Sequence, residues 1–154
     1  MYRPTLLACA FLALAPATVS AKPGLLPVEV REPWSRPAVA GGNGVGYMRL
    51  VNRGRSPETL ARVESPAARR VEMHRSELRN GVMSMASQPH IEVPAGGSIA
   101  FAPGAYHLMF VGLSRGLKSG DRLPATLVFA DGRKLRVDFP VGSGGGPPPP
   151  TGGS

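Results

Sequence analysis

Turn signals punctuate residues 28–141 at intervals too short for any long helix. They are Asn52-Arg53-Gly54, Asn80-Gly81, Pro94-Ala95-Gly96-Gly97, Pro103-Gly104 and Asp131-Gly132. Asn-Gly and Asp-Gly pairs tolerate positive φ and suit tight hairpins. Gly and Pro both weaken helices, and the chain carries 20 Gly and 17 Pro in 154 residues. The segments between the signals read as short strands over 28–31, 46–52, 58–65, 70–76, 81–86, 91–93, 98–101, 107–111, 125–129 and 134–140. The last alternates cleanly, with Leu135, Val137 and Phe139 on one side and Lys134, Arg136 and Asp138 on the other. Many short strands at this spacing predict an all-β fold, a two-sheet sandwich or barrel in a single domain. A hydrophobic content of 42% is enough to fill its core.

The two ends read differently. Arg3, the apolar run 6–14 and the small residues Val19-Ser20-Ala21 predict a signal peptide over 1–21, cleaved after Ala21. The apolar run is too short to span a bilayer. Leu6-Leu7-Ala8-Cys9 looks like a lipid-attachment box, but Cys9 has too little hydrophobic sequence before it. A leader over 22–27 opens the predicted β domain, 22–141. The Gly/Pro-rich tail, 142–154, lacks an apolar anchor and is expected to be disordered. Export to the periplasm removes nucleic acid as a partner for the net charge of +8. The arginines are dispersed, as solvated strand and loop positions are; docking to an acidic partner is the alternative. Cleavage also removes Cys9, the only cysteine. The remaining chain can form no disulfide, CxxC pair or thiolate metal site.

Histidine and methionine carry the remaining chemistry. His74, Met85, His107 and Met109 form the pattern H-x10-M-x21-H-x-M. His107 and Met109 are two apart and share a strand face, leaving Leu108 and Phe110 for the core. The same parity puts His74 outward and Met73 inward, and gives Met83 and Met85 one face. Three strands can thus bring two imidazoles and two thioethers to one patch. Thioethers are soft, neutral donors suited to Cu(I), and imidazole accepts copper in either oxidation state. Zinc prefers other partners to methionine, and a blue-copper electron carrier needs a thiolate. The set therefore reads as a site that holds copper. Metal-binding imidazoles must be neutral, so Cu(I) affinity is expected to weaken below about pH 6. Met48 and Met73 read as core filler, His90 as a loop residue after Pro89, and Met83 as a spare thioether. Trp34, Tyr106 and Glu72 are candidates to support the ligands or to dock a partner.

From Trp34 onward the sequence resembles the periplasmic copper chaperones, of the PCu(A)C type, associated with assembly of the CuA centre of cytochrome c oxidase. The four-residue pattern is met without a gap. The strings Pro33-Trp34-Ser35-Arg36, Gly46-Tyr47-Met48, Val71-Glu72-Met73-His74, Gly81-Val82-Met83-Ser84-Met85 and Tyr106-His107-Leu108-Met109 are similar to the family's. The resemblance spans roughly 28–141. It implies a cupredoxin-like Greek-key β-sandwich that binds Cu(I) at His74, Met85, His107 and Met109. It also implies a metallochaperone, not an enzyme, that passes copper to the CuA domain of oxidase subunit II or to another copper chaperone. Some relatives have a C-terminal extension rich in His and Met that adds a second site. The tail 142–154 has neither residue, so one copper site is expected. The rival readings are a periplasmic copper-sequestering protein and a metal-free interaction domain that uses its basic face. A hydrolase is disfavoured, because no nucleophile motif surrounds any serine.

Overall fold

The computed structural model describes residues 25–143 as ten strands, with no helix among the described residues. They are β1 (Val28–Ser35), β2 (Asn43–Asn52), β3 (Glu58–Glu64), β4 (Ala68–Arg79), β5 (Val82–Ser87), β6 (Ile91–Val93), β7 (Ser98–Phe101), β8 (Tyr106–Leu113), β9 (Arg122–Phe129) and β10 (Lys134–Pro140). Every predicted strand is present, and several run further than predicted. β1 continues past residue 31 through a register shift between Arg31 and Trp34, where Glu32 has a φ of 49°. Such a bulge breaks the two-residue alternation from which a strand is read. β9 starts before Pro124, which lies beyond the β3 pairing that ends at Thr126. A missing N–H is harmless on that side of the strand. The predicted signal peptide, Cys9 and the tail beyond Ser143 lie outside the described residues.

The strands form a cupredoxin-like β-sandwich. One sheet has the order β1-β2-β7-β8-β4-β5, the other β10-β9-β3-β6. β2 divides its pairing: Asn43–Gly46 run beside β8, and Met48–Val51 beside β7. Between the sheets lie Leu50, Leu60, Leu108, Phe110, Leu123, Leu127, Phe129 and Phe139, each almost fully buried. Phe110 and Phe139 meet edge to face at 5.9 Å. Gly46 makes room for this pair, since a Cβ there would lie 2.9 Å from the Phe110 ring and 3.3 Å from Phe139. The inward residues of β8 and β4, namely Leu108, Phe110 and Met73, thereby fix both strands against the core. The opposite faces of the same strands carry the candidate ligands.

Candidate metal site

β4 and β8 run antiparallel, and their register sets His74 directly opposite His107. The two rings meet edge to face, with centroids 5.7 Å apart. One step along, Met109 faces Glu72. β5 adds the outer edge of the patch, with Ser87 opposite His74 and Met85 opposite Ser76. Glu72, His74 and Ser76 alternate with the buried Met73, while His107 and Met109 alternate with Leu108 and Phe110. The parity read from sequence is that of the folded strands. One feature departs from it: His107, on the outer face, is only 6% exposed.

His74 occupies the middle of the group. Direct cross-strand neighbours lie about 5 Å apart and diagonal ones about 7–8 Å apart. By register, His107 is direct to His74, while Met109 and Met85 are its two diagonals, one on each side. The two methionines are separated by two strand spacings and four residues of register, roughly 16 Å between Cα atoms on a flat sheet. The structure therefore gathers His74, His107 and Met109, and leaves Met85 on the edge strand, 63% exposed. Met83 lies one step nearer the hairpin tip, opposite Leu78, and is also exposed. To join the other three, the Met85 side chain would have to reach inward across β4.

Hydrogen bonding gives the imidazoles a defined surrounding. His74 Nε2 lies 3.1 Å from Glu72 Oε2. Arg70 Nε donates to Glu72 Oε1 at 2.6 Å. That bond, assisted by the charge of Arg70, holds the Glu72 carboxyl below the usual carboxylate range despite partial desolvation. His107 Nδ1 lies 3.2 Å from the Ala105 carbonyl oxygen. His74 Nδ1 is buried and has no hydrogen-bond partner. Buried polar atoms are nearly always partnered, and a ring nitrogen buried without a donor, on a histidine packed against a second imidazole, is suited to a cation. Among the described residues no three His, Cys, Asp or Glu side chains converge to hold a metal by themselves. The Met109 thioether, on the same face of β8 as His107, is a donor of the kind a soft ion takes.

The remaining sequence candidates sort by contact. Glu72 touches His74. Trp34 packs on Tyr47 at 4.6 Å, with the Arg36 guanidinium over both rings. Tyr106 packs against the core and lies 6.0 Å from Phe101, with Arg75 above it. Met48 and Met73 are core residues, and His90 is an exposed residue between β5 and β6. Asn43 was missed from sequence: its Nδ2 lies 3.9 Å from Met109 Sδ. Only the pairing of β2 with β8 brings it there, so no spacing in the sequence signals it. Many arginines are paired along their own strands with a glutamate two residues away, as in Arg31–Glu29, Arg62–Glu64 and Arg79–Glu77. They are the solvated positions expected, and each pair contributes little to stability.

Fold and patch together define a class: a cupredoxin-like β-domain with imidazole and thioether side chains gathered on the outer face of one sheet. The chain belongs to the LpqE-like family, described as "Putative lipoprotein LpqE-like", whose model matches residues 28–141. It is 30% identical over 115 residues to "Putative lipoprotein Lxx21020" of Leifsonia xyli subsp. xyli, covering 74% of this chain and 69% of that protein. Among solved structures it is similar to the copper-bound PCuAC domain from PmoF2. That match has 25% identity and a TM-score of 0.64, and covers 77% of this chain and 94% of that domain. It is also similar to the Cu(I) form of DR1885 from Deinococcus radiodurans, solved in solution. There the identity is 28% and the TM-score 0.55, with coverage of 81% and 82%. The resemblance to PCu(A)C-type proteins read from the sequence thus extends to the fold.

Proposed function

We propose that this protein is an exported copper chaperone that holds Cu(I) at His74, His107, Met109 and Met85 and passes it to a protein acceptor. The observation that carries this reading is the buried, unpartnered Nδ1 of His74. His74 packs edge to face on His107 and has Met109 at a diagonal register position, in a fold shared with domains solved with copper bound. Two imidazoles and two thioethers make a neutral donor set, which suits a soft monovalent ion. Delivery, as opposed to storage, is favoured by where the donors lie. Three sit within the sheet face, and the fourth, Met85, is on an exposed edge strand. An incoming ligand can replace Met85 first while the imidazoles keep hold, so the ion moves by stepwise exchange with no covalent change in the protein. No enzymatic step is needed.

The acceptor we favour is the CuA domain of cytochrome c oxidase subunit II, with another copper chaperone as the alternative. Export, with cleavage after Ala21 and action in the periplasm, rests on the apolar N-terminus and on the lipoprotein names in the family. The test is transfer. The Cu(I)-loaded protein is mixed with a purified, copper-free CuA domain, and the two are separated and assayed for metal. Copper appearing on the CuA domain supports delivery. Copper retained by the donor in the presence of excess acceptor favours sequestration.

A further inference from the structure

The two imidazoles of the patch meet different acceptors through different ring nitrogens. A carboxylate and a backbone carbonyl can only accept a hydrogen bond. His74 therefore carries its hydrogen on Nε2 and donates to Glu72 Oε2 at 3.1 Å. His107 carries its hydrogen on Nδ1 and donates to the Ala105 carbonyl at 3.2 Å. Each ring is left with one lone pair: Nδ1 on His74, which is the buried atom without a partner, and Nε2 on His107. A metal-binding histidine characteristically donates its other N–H to a carboxylate or a backbone carbonyl, which fixes both tautomer and ring orientation. Here one histidine has each kind of anchor.

We propose that Glu72 is a positioning residue that makes His74 a ligand through Nδ1, while the Ala105 carbonyl makes His107 a ligand through Nε2. Glu72 is not itself a donor to the metal. Both its oxygens are engaged, Oε1 by Arg70 at 2.6 Å and Oε2 by His74. Arg70 steers the carboxylate, and the carboxylate steers the ring. The three side chains follow from a strand's two-residue period, since Arg70, Glu72 and His74 project from one face of β4. Glu72 lies opposite Met109, so the anchor sits at the thioether side of the patch.

The ligand-nitrogen part of this inference rests on the copper reading above, whereas the tautomers exist without metal. The test uses long-range proton–nitrogen correlation spectra of the 15N-labelled protein, first without metal and then with one equivalent of Cu(I). Without metal, His74 should show the Nε2–H form and His107 the Nδ1–H form. On adding Cu(I), the 15N shifts should move most at Nδ1 of His74 and Nε2 of His107. Glu72→Ala should release the His74 tautomer and weaken Cu(I) binding about 10- to 100-fold. Glu72→Gln, which keeps an acceptor oxygen, should recover most of that loss. The proposal is overturned by an Nδ1–H form of His74 in the metal-free protein, by a Cu(I) shift at Nε2 of His74, or by parental affinity in Glu72→Ala. If Cu(I) moves neither ring, the copper reading fails. The metal-free spectra then decide by themselves whether Glu72 holds the ring.

Discussion

Truncating Met85 to alanine separates copper binding from folding. Met85 is 63% exposed, so folding hides only about a third of it. Full burial of a methionine side chain is worth about 1.5–3 kcal/mol, and the change should therefore cost about 0.5–1 kcal/mol. With a urea slope of about 1–3 kcal/mol per molar, the unfolding midpoint should fall by less than about 1 M. The same change removes one of four proposed donors. Disturbing even the hydrogen-bond partners of ligands weakens metal binding about 10- to 100-fold, and losing a ligand should cost at least as much. The assay pairs Cu(I) competition against a chelator with urea unfolding of the metal-free protein. Unchanged Cu(I) affinity in Met85→Ala would remove Met85 from the donor set. If affinity falls only when Met83 is also truncated, the two methionines share the position and the single assignment is wrong. A midpoint loss well above 1 M would show that Met85 is packed in the fold rather than exposed on its surface.

Two further predictions concern the scaffold. Leu108→Ala, one residue from His107 but fully buried, should destabilise the metal-free protein by about 2–5 kcal/mol, seen as a large drop in the urea midpoint; a surface-sized effect would place Leu108 outside the core. Acid should also destabilise the fold. Glu29, Glu64 and Glu72 are held below the usual carboxylate range chiefly by hydrogen bonds from Arg31, Arg62 and Arg70, and Asp121 and Asp131 by the backbone N–H groups of Lys118 and Arg133. Lowered folded-state values mean that the unfolded chain binds more protons, so this stability is present above about pH 4.5 and is lost as pH falls through the folded values. The urea midpoint should be lower at pH 3 than at pH 5, and a rise over that interval would contradict the assignment.

Much of this arrangement can be read from the chain, for identifiable reasons. Turn pairs such as Asn80-Gly81 and Asp131-Gly132 carry positive-φ residues at Asn80, Gly81 and Gly132, and they mark the strand ends. Alternation puts His74, His107 and Met109 on outer faces because that period belongs to a single strand and needs no knowledge of its neighbours. Sheet order does need that knowledge. The split pairing of β2 between β7 and β8, and the parallel bridge between Phe101 and Tyr106, depend on long-range packing. Three features of the site share that dependence: the burial of His107, the approach of Asn43 to Met109, and the outlying position of Met85. The contact of Glu72 with His74 is of the other kind, being fixed by two residues on one strand face.

The central claim is that this patch binds Cu(I) through nitrogen and sulfur together. X-ray absorption on the protein loaded with Cu(I), alongside metal analysis, tests it most directly. The account predicts one copper per chain, an edge characteristic of Cu(I), and a shell of two imidazole nitrogens and two thioether sulfurs. A shell of nitrogen and oxygen alone, or protein that keeps no stoichiometric copper, would contradict it.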